Sequence, residues 1–572
     1  MNNSLVLSDY IVFTIYFLLL ASYGYYVYNK KKQQSISATH DFFLAEGSLT
    51  WWAIGASLIA SNISAEQFIG MSGEGFYVGT AVAAYEWLAA IALIIIAVWF
   101  MPIYLKNKIY TMPQFLKTRY NETVALIMAV FWLFLYVFVN LTSILYLGAV
   151  AINGLAGGEY LHIIMVTLAV MGLIITLGGM KVIGYTDVLQ VGVLIIGGLA
   201  TTYLALTKVS ESFGLGHDAI AGFKMMLQDS PDHFKMMLPK PDAATIAAAE
   251  GGDAASQLSI NKYLILPGIT MYFAGQWIVN LNYWGCNQYI TQRALGADLK
   301  TARTGILFAA FLKLMMPIIV MLPGIAAYVL HKNGGLEGFN GVKDTAYSSV
   351  LAFLPSGLKG LSVAALTAAI VASLAGKLNS ISTIFTLDIY KKYINKDSDE
   401  KKQVWIGRST VLAAMLLSLI FTWEDLLGIG GEGGFTFIQK YTGFISPGVF
   451  AMFILGMFWK RTTGLAAIAG LITGFVLAIF FNNYAVGIFG NETLLYTAFP
   501  NGSGGYEIPF LINMGWSFFF TLVIMVAISL LSKKHHERAF ELDKSMFKVA
   551  PVHIVMIVMI LLIITAIYAK FW

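Results

Sequence analysis

A chain of 572 residues that is 58% hydrophobic and 12% charged is not a soluble domain, since such domains carry about 25% charged residues. Its formal charge of +5 does not point to nucleic acid, because the basic residues sit in short loops between long apolar runs. Cys286 is the only cysteine, so no internal disulfide can form.

The apolar runs are long enough to cross a bilayer and recur from end to end. Spanning segments of this kind are helices, because each lipid-exposed span must satisfy its own backbone. The first, at 8–28, lacks a basic start and a clear small-residue cleavage site, and reads as a retained helix. Further spans are predicted at 50–73, 78–104, 122–151, 160–178, 183–207, 262–290, 303–330, 357–390, 405–423, 434–458, 463–482, 508–531 and 550–570, fourteen in all. Alternate loops differ sharply in Lys and Arg. One set holds Lys30–Lys32, then Lys106, Lys108, Lys117 and Arg119, then Lys181, then Arg293, Lys300 and Arg303. It continues with Lys391, Lys392, Lys396, Lys401 and Lys402, with Lys460 and Arg461, and with Lys533, Lys534 and Arg538. The opposite set is nearly bare: "GLAGGEYL", "EDLLGIGGEGG" and "NNYAVGIFGNETLLYTAFPNGSGGYEI" hold none. The positive-inside rule puts the first set in the cytoplasm and both termini outside. The segment Lys208–Asn261 is then an external loop, and its stretch "AATIAAAEGGDAASQ" suggests a short helix or lid. "GIGGEGG" at Gly428–Gly434 has the look of a nucleotide loop, but no strand precedes it and it joins two spans.

A few spans carry several polar residues near mid-depth, where each is costly unless it faces a protected interior. The span at 50–73 has Asn62, Glu66 and Gln67, followed by Gly70, Gly73 and Gly75, and the next has Glu86. The span at 262–290 has Asn280, Asn282 and Asn287 between Gly275 and Gly285; Lys313 and Gln439 follow further on. Span amides also serve simply to hydrogen-bond helix to helix. Together with an acid and a base, however, this set points to one shared polar cavity. Glycine-interrupted spans at corresponding positions of two halves mark a transporter site. Here they open two five-span blocks, 50–207 and 262–458, of opposite orientation because five is odd. The expected organisation is an N-terminal helix and loop (1–49), a first repeat (50–207), an external loop (208–261), a second repeat (262–458) and three C-terminal helices (459–572).

The motifs "ASLIASNISAEQFIGMSGEGF", "AAYEWLAAI", "NYWGCNQYITQRAL", "AAFLKLMMPIIVMLPGIAAY", "LNSISTIFTLDIY" and "YTGFISPG" carry a resemblance that covers almost the whole chain. They closely resemble the sodium/glucose cotransporter branch of the solute:sodium symporter family, its bacterial sodium/galactose members above all. The resemblance implies an all-α, LeuT-like five-plus-five inverted repeat and an alternating-access symporter that couples a sugar to sodium. It places sugar contacts on Gln67, Glu86, Asn280, Lys313 and Gln439, with Asn62 close by. It makes Tyr283 the aromatic inner gate that stacks under the sugar, and Met71, Tyr85 and Phe435 the outer gate. Ala89 departs from the pattern, standing where the bacterial members have a serine. Such a set suits a sugar, whose hydroxyls each donate and accept and whose ring offers an apolar face.

The resemblance also implies a sodium site at the backbone oxygens of Ala60, Ile63 and Ala369 and the hydroxyl of Ser373, with the acid Asp187 nearby. The family shows two adjacent hydroxyl residues where this chain reads Ala372–Ser373. Lys377, one turn beyond Ser373, stands where the relatives carry an apolar residue. It either snorkels to the cytoplasmic surface or reaches the ion site, with Asp187 as its suggested partner. The expected partners are thus a monosaccharide, sodium and the bilayer, with no nucleic acid and no obligate protein partner. A bacterial inner membrane is the expected location. A myo-inositol or other polyol symporter is the alternative, as is a sugar-gated sensor or channel of the same fold. No metal cluster and no nucleophile–base pair suggests an enzyme.

Overall fold

Long helices dominate, as a succession of apolar runs requires. The computed structural model describes residues 5–32, 42–43, 49–64, 66–156, 158–336, 339, 341–352, 354–427, 434–532 and 536–572. In chain order its main helices begin with α1 (Leu7–Lys32), α2 (Trp51–Asn62), α3 (Met71–Tyr77), α4 (Thr80–Lys106), α5 (Glu122–Leu155), α6 (Leu161–Leu177) and α7 (Met180–Ser212). There follow α8 (Ala243–Glu250), α9 (Ala254–Ile265), α10 (Gly275–Cys286), α11 (Gln288–Leu295), α12 (Leu299–Lys332) and α13 (Leu358–Ile394). The chain closes with α14 (Glu400–Trp423), α15 (Gly434–Gly443), α16 (Ser446–Phe458), α17 (Gly464–Asn483), α18 (Phe510–Leu530) and α19 (Pro551–Phe571).

Among the described residues, ten helices are long and apolar enough to cross a membrane, and each falls on one of the fourteen predicted spans. The other four spans are interrupted or short. The span at 50–73 stops at Ile63, whose backbone turns extended (φ −82°, ψ 108°), and resumes as a wide π turn at Glu66–Gly70 leading into α3. The span at 160–178 is the 17-residue α6. The span at 262–290 bends by 82° between residues 254–272 and α10, then breaks again at Asn287 (φ −88°, ψ 130°) before α11. The span at 434–458 is split into α15 and α16.

The breaks at Ile63 and Asn287 lie inside the bundle. α2 packs against α7, α12 and α13, and α10 packs against α4 and α16. Close approach of α2 to α12 depends on small residues: a Cβ on Gly55 would stand 2.6 Å from the Phe308 ring, and one on Gly305 would stand 2.8 Å from Ile54. α13 is the central helix, with 89% of its apolar window buried, against 22% for α1 and 17% for α19 at the periphery.

The stretch that suggested a helix or lid forms α8 and the start of α9, each opened by an aspartate side chain (Asp242, Asp253) that accepts a backbone N–H in the first turn. They pack against a hairpin of β1 (Phe499–Pro500) and β2 (Tyr506–Glu507), with Phe499 opposite Glu507 and against the Tyr263 ring. The glycine-rich stretch at 428–433 lies outside the described residues. Four cations that read as loop charges are buried: Arg119, Lys181, Arg293 and Arg303, at 0%, 6%, 2% and 6% exposure. Arg119 and Arg303 donate mainly to backbone carbonyls, which a charge count along the sequence does not reveal.

Candidate functional site

The breaks at Ile63 and Asn287 open onto one cavity. All seven predicted sugar contacts line it: Asn62 from α2, Gln67 from the π turn, Glu86 from α4, Asn280 and Tyr283 from α10, Lys313 from α12 and Gln439 from α15. Ala89 lines it too. Of the expected outer gate, Tyr85 lines the cavity and Met71 is fully buried, its sulfur 3.7 Å from Gln67 Nε2. The side chains of Phe435 and Glu66 lie outside the described residues.

The polar groups are preorganised around a central ion pair. Lys313 Nζ donates to Glu86 Oε2 at 2.5 Å, and also to the Asn62 side-chain oxygen. Gln67 Nε2 donates to the other oxygen of the same carboxylate, at 2.5 Å. The Trp284 ring faces the Lys313 ammonium, 5.1 Å from its centroid. Asn280 Nδ2 is held by the Gln276 carbonyl one turn back, at 3.0 Å. These bonds fix each side chain while leaving part of its capacity unused: a carboxylate has about four lone-pair sites and an ammonium three protons. A ring of hydroxyls meets that remaining capacity.

Tyr283 sits just before the second break. Its hydroxyl accepts from Asn62 Nδ2 at 3.0 Å, which ties α10 to α2 across the cavity. Its ring meets Trp284 and Tyr289 edge to face. Asn282 Nδ2 donates to Ser446 Oγ at 3.1 Å and joins α10 to α16.

Behind the cavity, α13 meets the end of α2. Ser373 Oγ donates to the Ser61 carbonyl at 3.2 Å, so Ser373 faces the end of α2 beside the break at Ile63. Carbonyls at an unwound helix end plus a hydroxyl form an oxygen set that suits a hard monovalent cation. Asp187 is fully buried; it accepts from Ser57 Oγ and lies 3.7 Å from Arg293 Nη2. Arg293 also donates from Nε to Ser57 Oγ at 2.7 Å, and to the Tyr289 carbonyl. Gly376 makes room for this guanidinium, since a Cβ there would lie 2.5 Å from Nη2. The partner suggested for Lys377 is therefore engaged by Ser57 and Arg293. Lys377 itself does not snorkel: it is 3% exposed, lines the cavity, and donates to Ser373 Oγ at 3.0 Å.

Sequence reasoning missed Arg293, which it counted as a loop cation, and the cavity residues Trp132, Asn140 and Trp284. The one available signal for Arg293 was its place one helical turn after Tyr289 in a polar segment directly beyond a broken span.

A family model described as the sodium:solute symporter family matches residues 42–474. The chain is 39% identical over 586 aligned residues to the sodium/glucose cotransporter of Vibrio parahaemolyticus, covering 100% of this chain and 99% of that protein. It is 32% identical to the sodium/myo-inositol cotransporter 2 of Mus musculus, over 84% of this chain and 70% of that one. Among solved structures, a Na+-coupled sialic acid symporter in a substrate-bound outward-open state matches with a TM-score of 0.74 at 19% identity, covering 93% of this chain and 99% of the other. At that identity the likeness shows the fold.

Proposed function

The chain belongs to the sodium:solute symporter family, and from that premise we propose that it takes up a monosaccharide of the galactose or glucose type by alternating access. It is a sodium-coupled membrane transporter and not an enzyme; sodium is the co-transported ion. One observation carries the sugar reading: the Gln67–Glu86–Lys313–Asn62 cluster, with aromatic rings beside it, converges on a single cavity between two broken helices. The full-length likeness to a sodium/glucose cotransporter supports it.

In this reading Gln67, Glu86, Asn280, Lys313 and Gln439 hold the sugar hydroxyls, Asn62 braces Lys313, and Tyr283 closes the path toward the cytoplasm. Met71, Tyr85 and Phe435 close the outer path. Sodium binds between α2 and α13, on the oxygens of Ala60, Ile63, Ala369 and Ser373, with Asp187 behind. An ion at the junction of the broken helix and α13 favours one arrangement of that junction. That is how its gradient drives the sugar, because a ligand shifts an equilibrium only by its differential affinity.

The chain crosses the membrane fourteen times, counting each interrupted span once, with two inverted five-helix repeats and both termini outside. The membrane is a bacterial inner membrane, and the transporter works without an obligate protein partner. The likeness to sodium/myo-inositol cotransporter 2 favours one second reading, a polyol in the same cavity. Binding of galactose, glucose and myo-inositol to purified protein separates the two, read by quenching of the cavity tryptophans Trp132 and Trp284. Quenching by either hexose that is lost in Gln67→Ala supports the proposal. Quenching by myo-inositol alone favours the polyol.

A further inference from the structure

Ser373 Oγ is engaged twice: it donates to the Ser61 carbonyl at 3.2 Å and accepts from Lys377 Nζ at 3.0 Å. The hydroxyl read above as a sodium ligand thus already carries a cation. Lys377 lies one turn further along α13, and its Nζ is also 4.7 Å from the centroid of the Tyr289 ring. The side chain lines the sugar cavity as well. It therefore touches both the hydroxyl at the helix junction and the space where the sugar is placed. An ammonium and a sodium ion are both compact monocations that seek oxygen ligands, and two of them on one oxygen repel.

The geometry points to Lys377 as a tethered cation that occupies Ser373 when sodium is absent and leaves it, toward the sugar cavity, when sodium binds. This rests on the reading of Ser373 as a sodium ligand. Sodium then binds against an internal competitor, so its affinity is lower than the oxygen set alone would give. Departure of the ammonium toward the cavity ties occupancy of the ion site to the electrostatics of the sugar site. The flexible four-carbon stem allows this, because an ammonium does not depend on a fixed planar geometry.

The test is equilibrium binding of radioactive sodium to the purified protein without sugar, for the wild type, Lys377→Met, Lys377→Gln, Ser373→Ala and the Lys377→Met/Ser373→Ala pair. Two neutral replacements are used so that a folding defect in one does not decide the outcome; a monodisperse gel-filtration profile qualifies each. Removal of the competitor is expected to tighten sodium binding about tenfold in both neutral variants. That gain is expected to vanish in the Ser373→Ala background, because the amine acts through that hydroxyl. Unchanged affinity in both neutral variants overturns the inference, and so does weaker binding, which would mean that the amine helps to hold the ion. If Ser373→Ala binds sodium as the wild type does, the assignment of Ser373 as a ligand fails and the inference fails with it.

Discussion

Glu86 and Lys313 form an ion pair at 2.5 Å in the centre of the bundle, their side chains 4% and 1% exposed. Removing one partner of such a pair leaves an uncompensated buried charge, at a cost of about 3–5 kcal/mol. Glu86→Ala is therefore expected to lose sugar uptake and also to lower the melting temperature of the detergent-solubilised protein. Glu86→Ala/Lys313→Met is expected to recover most of the stability and none of the uptake. Wild-type uptake by Glu86→Ala would remove this residue from the sugar site.

Tyr283 and Asn62 join the two broken helices through one hydrogen bond of 3.0 Å. Tyr283→Phe keeps the ring and loses that bond, about 1 kcal/mol, so sugar affinity is expected to fall by roughly fivefold with accumulation retained. Tyr283→Ala also removes the ring and is expected to abolish coupled accumulation. Equal accumulation by the two variants, measured in proteoliposomes, would make Tyr283 a packing residue.

The ten uninterrupted spans were legible because length and hydropathy alone define a crossing helix. The approximate place of each break was also legible, from amides and glycines in apolar runs, but its geometry was not. Ile63 and Asn287 leave the helix with extended backbone, and no local signal in the sequence marks either residue as the turning point. The polar residues that line the cavity were legible through their polarity at membrane depth. Arg293 was not: a cation near a span end reads as a loop charge until the fold shows Asp187, Ser57 and Gly376 around it. Lys377 stayed ambiguous in sequence for a related reason. Snorkelling needs a nearby helix end, and α13 continues to Ile394, well past it.

Arg293 donates to Ser57 Oγ at 2.7 Å and to the Tyr289 carbonyl, and pairs with Asp187 at 3.7 Å. An ammonium cannot reproduce that fork. Arg293→Lys is expected to cost about 2–3 kcal/mol through buried groups left unpaired, read as a lower melting temperature together with weaker sodium binding. An unchanged melting temperature would show that the network does not brace α2 against α7.

His233 lies outside the membrane-crossing segments, stacked on Tyr328 with ring centroids 3.7 Å apart and with Nε2 3.1 Å from the Phe76 carbonyl. Burial, reinforced by Lys262, holds its imidazole down at about 4, against 6.5 for the free side chain. Above pH 6.5 the ring is neutral in both the folded and unfolded states, and its contribution is complete. As the pH falls from 6.5 toward 4, the unfolded chain takes up a proton that the folded one refuses, and stability falls by up to about 3 kcal/mol. His233→Asn, which keeps a donor for Phe76, is expected to flatten the decline of melting temperature over that range. A decline as steep as that of the wild type would assign the acid sensitivity to other groups.

Uptake into proteoliposomes bears most directly on the function itself. Labelled galactose, glucose and myo-inositol are offered separately, each with an inward sodium gradient and with an equal potassium gradient in its place. Galactose or glucose is expected to rise transiently above equilibrium with sodium and not with potassium. Equilibration of both hexoses at the same rate under the two gradients, with no accumulation, would contradict sodium-driven monosaccharide uptake.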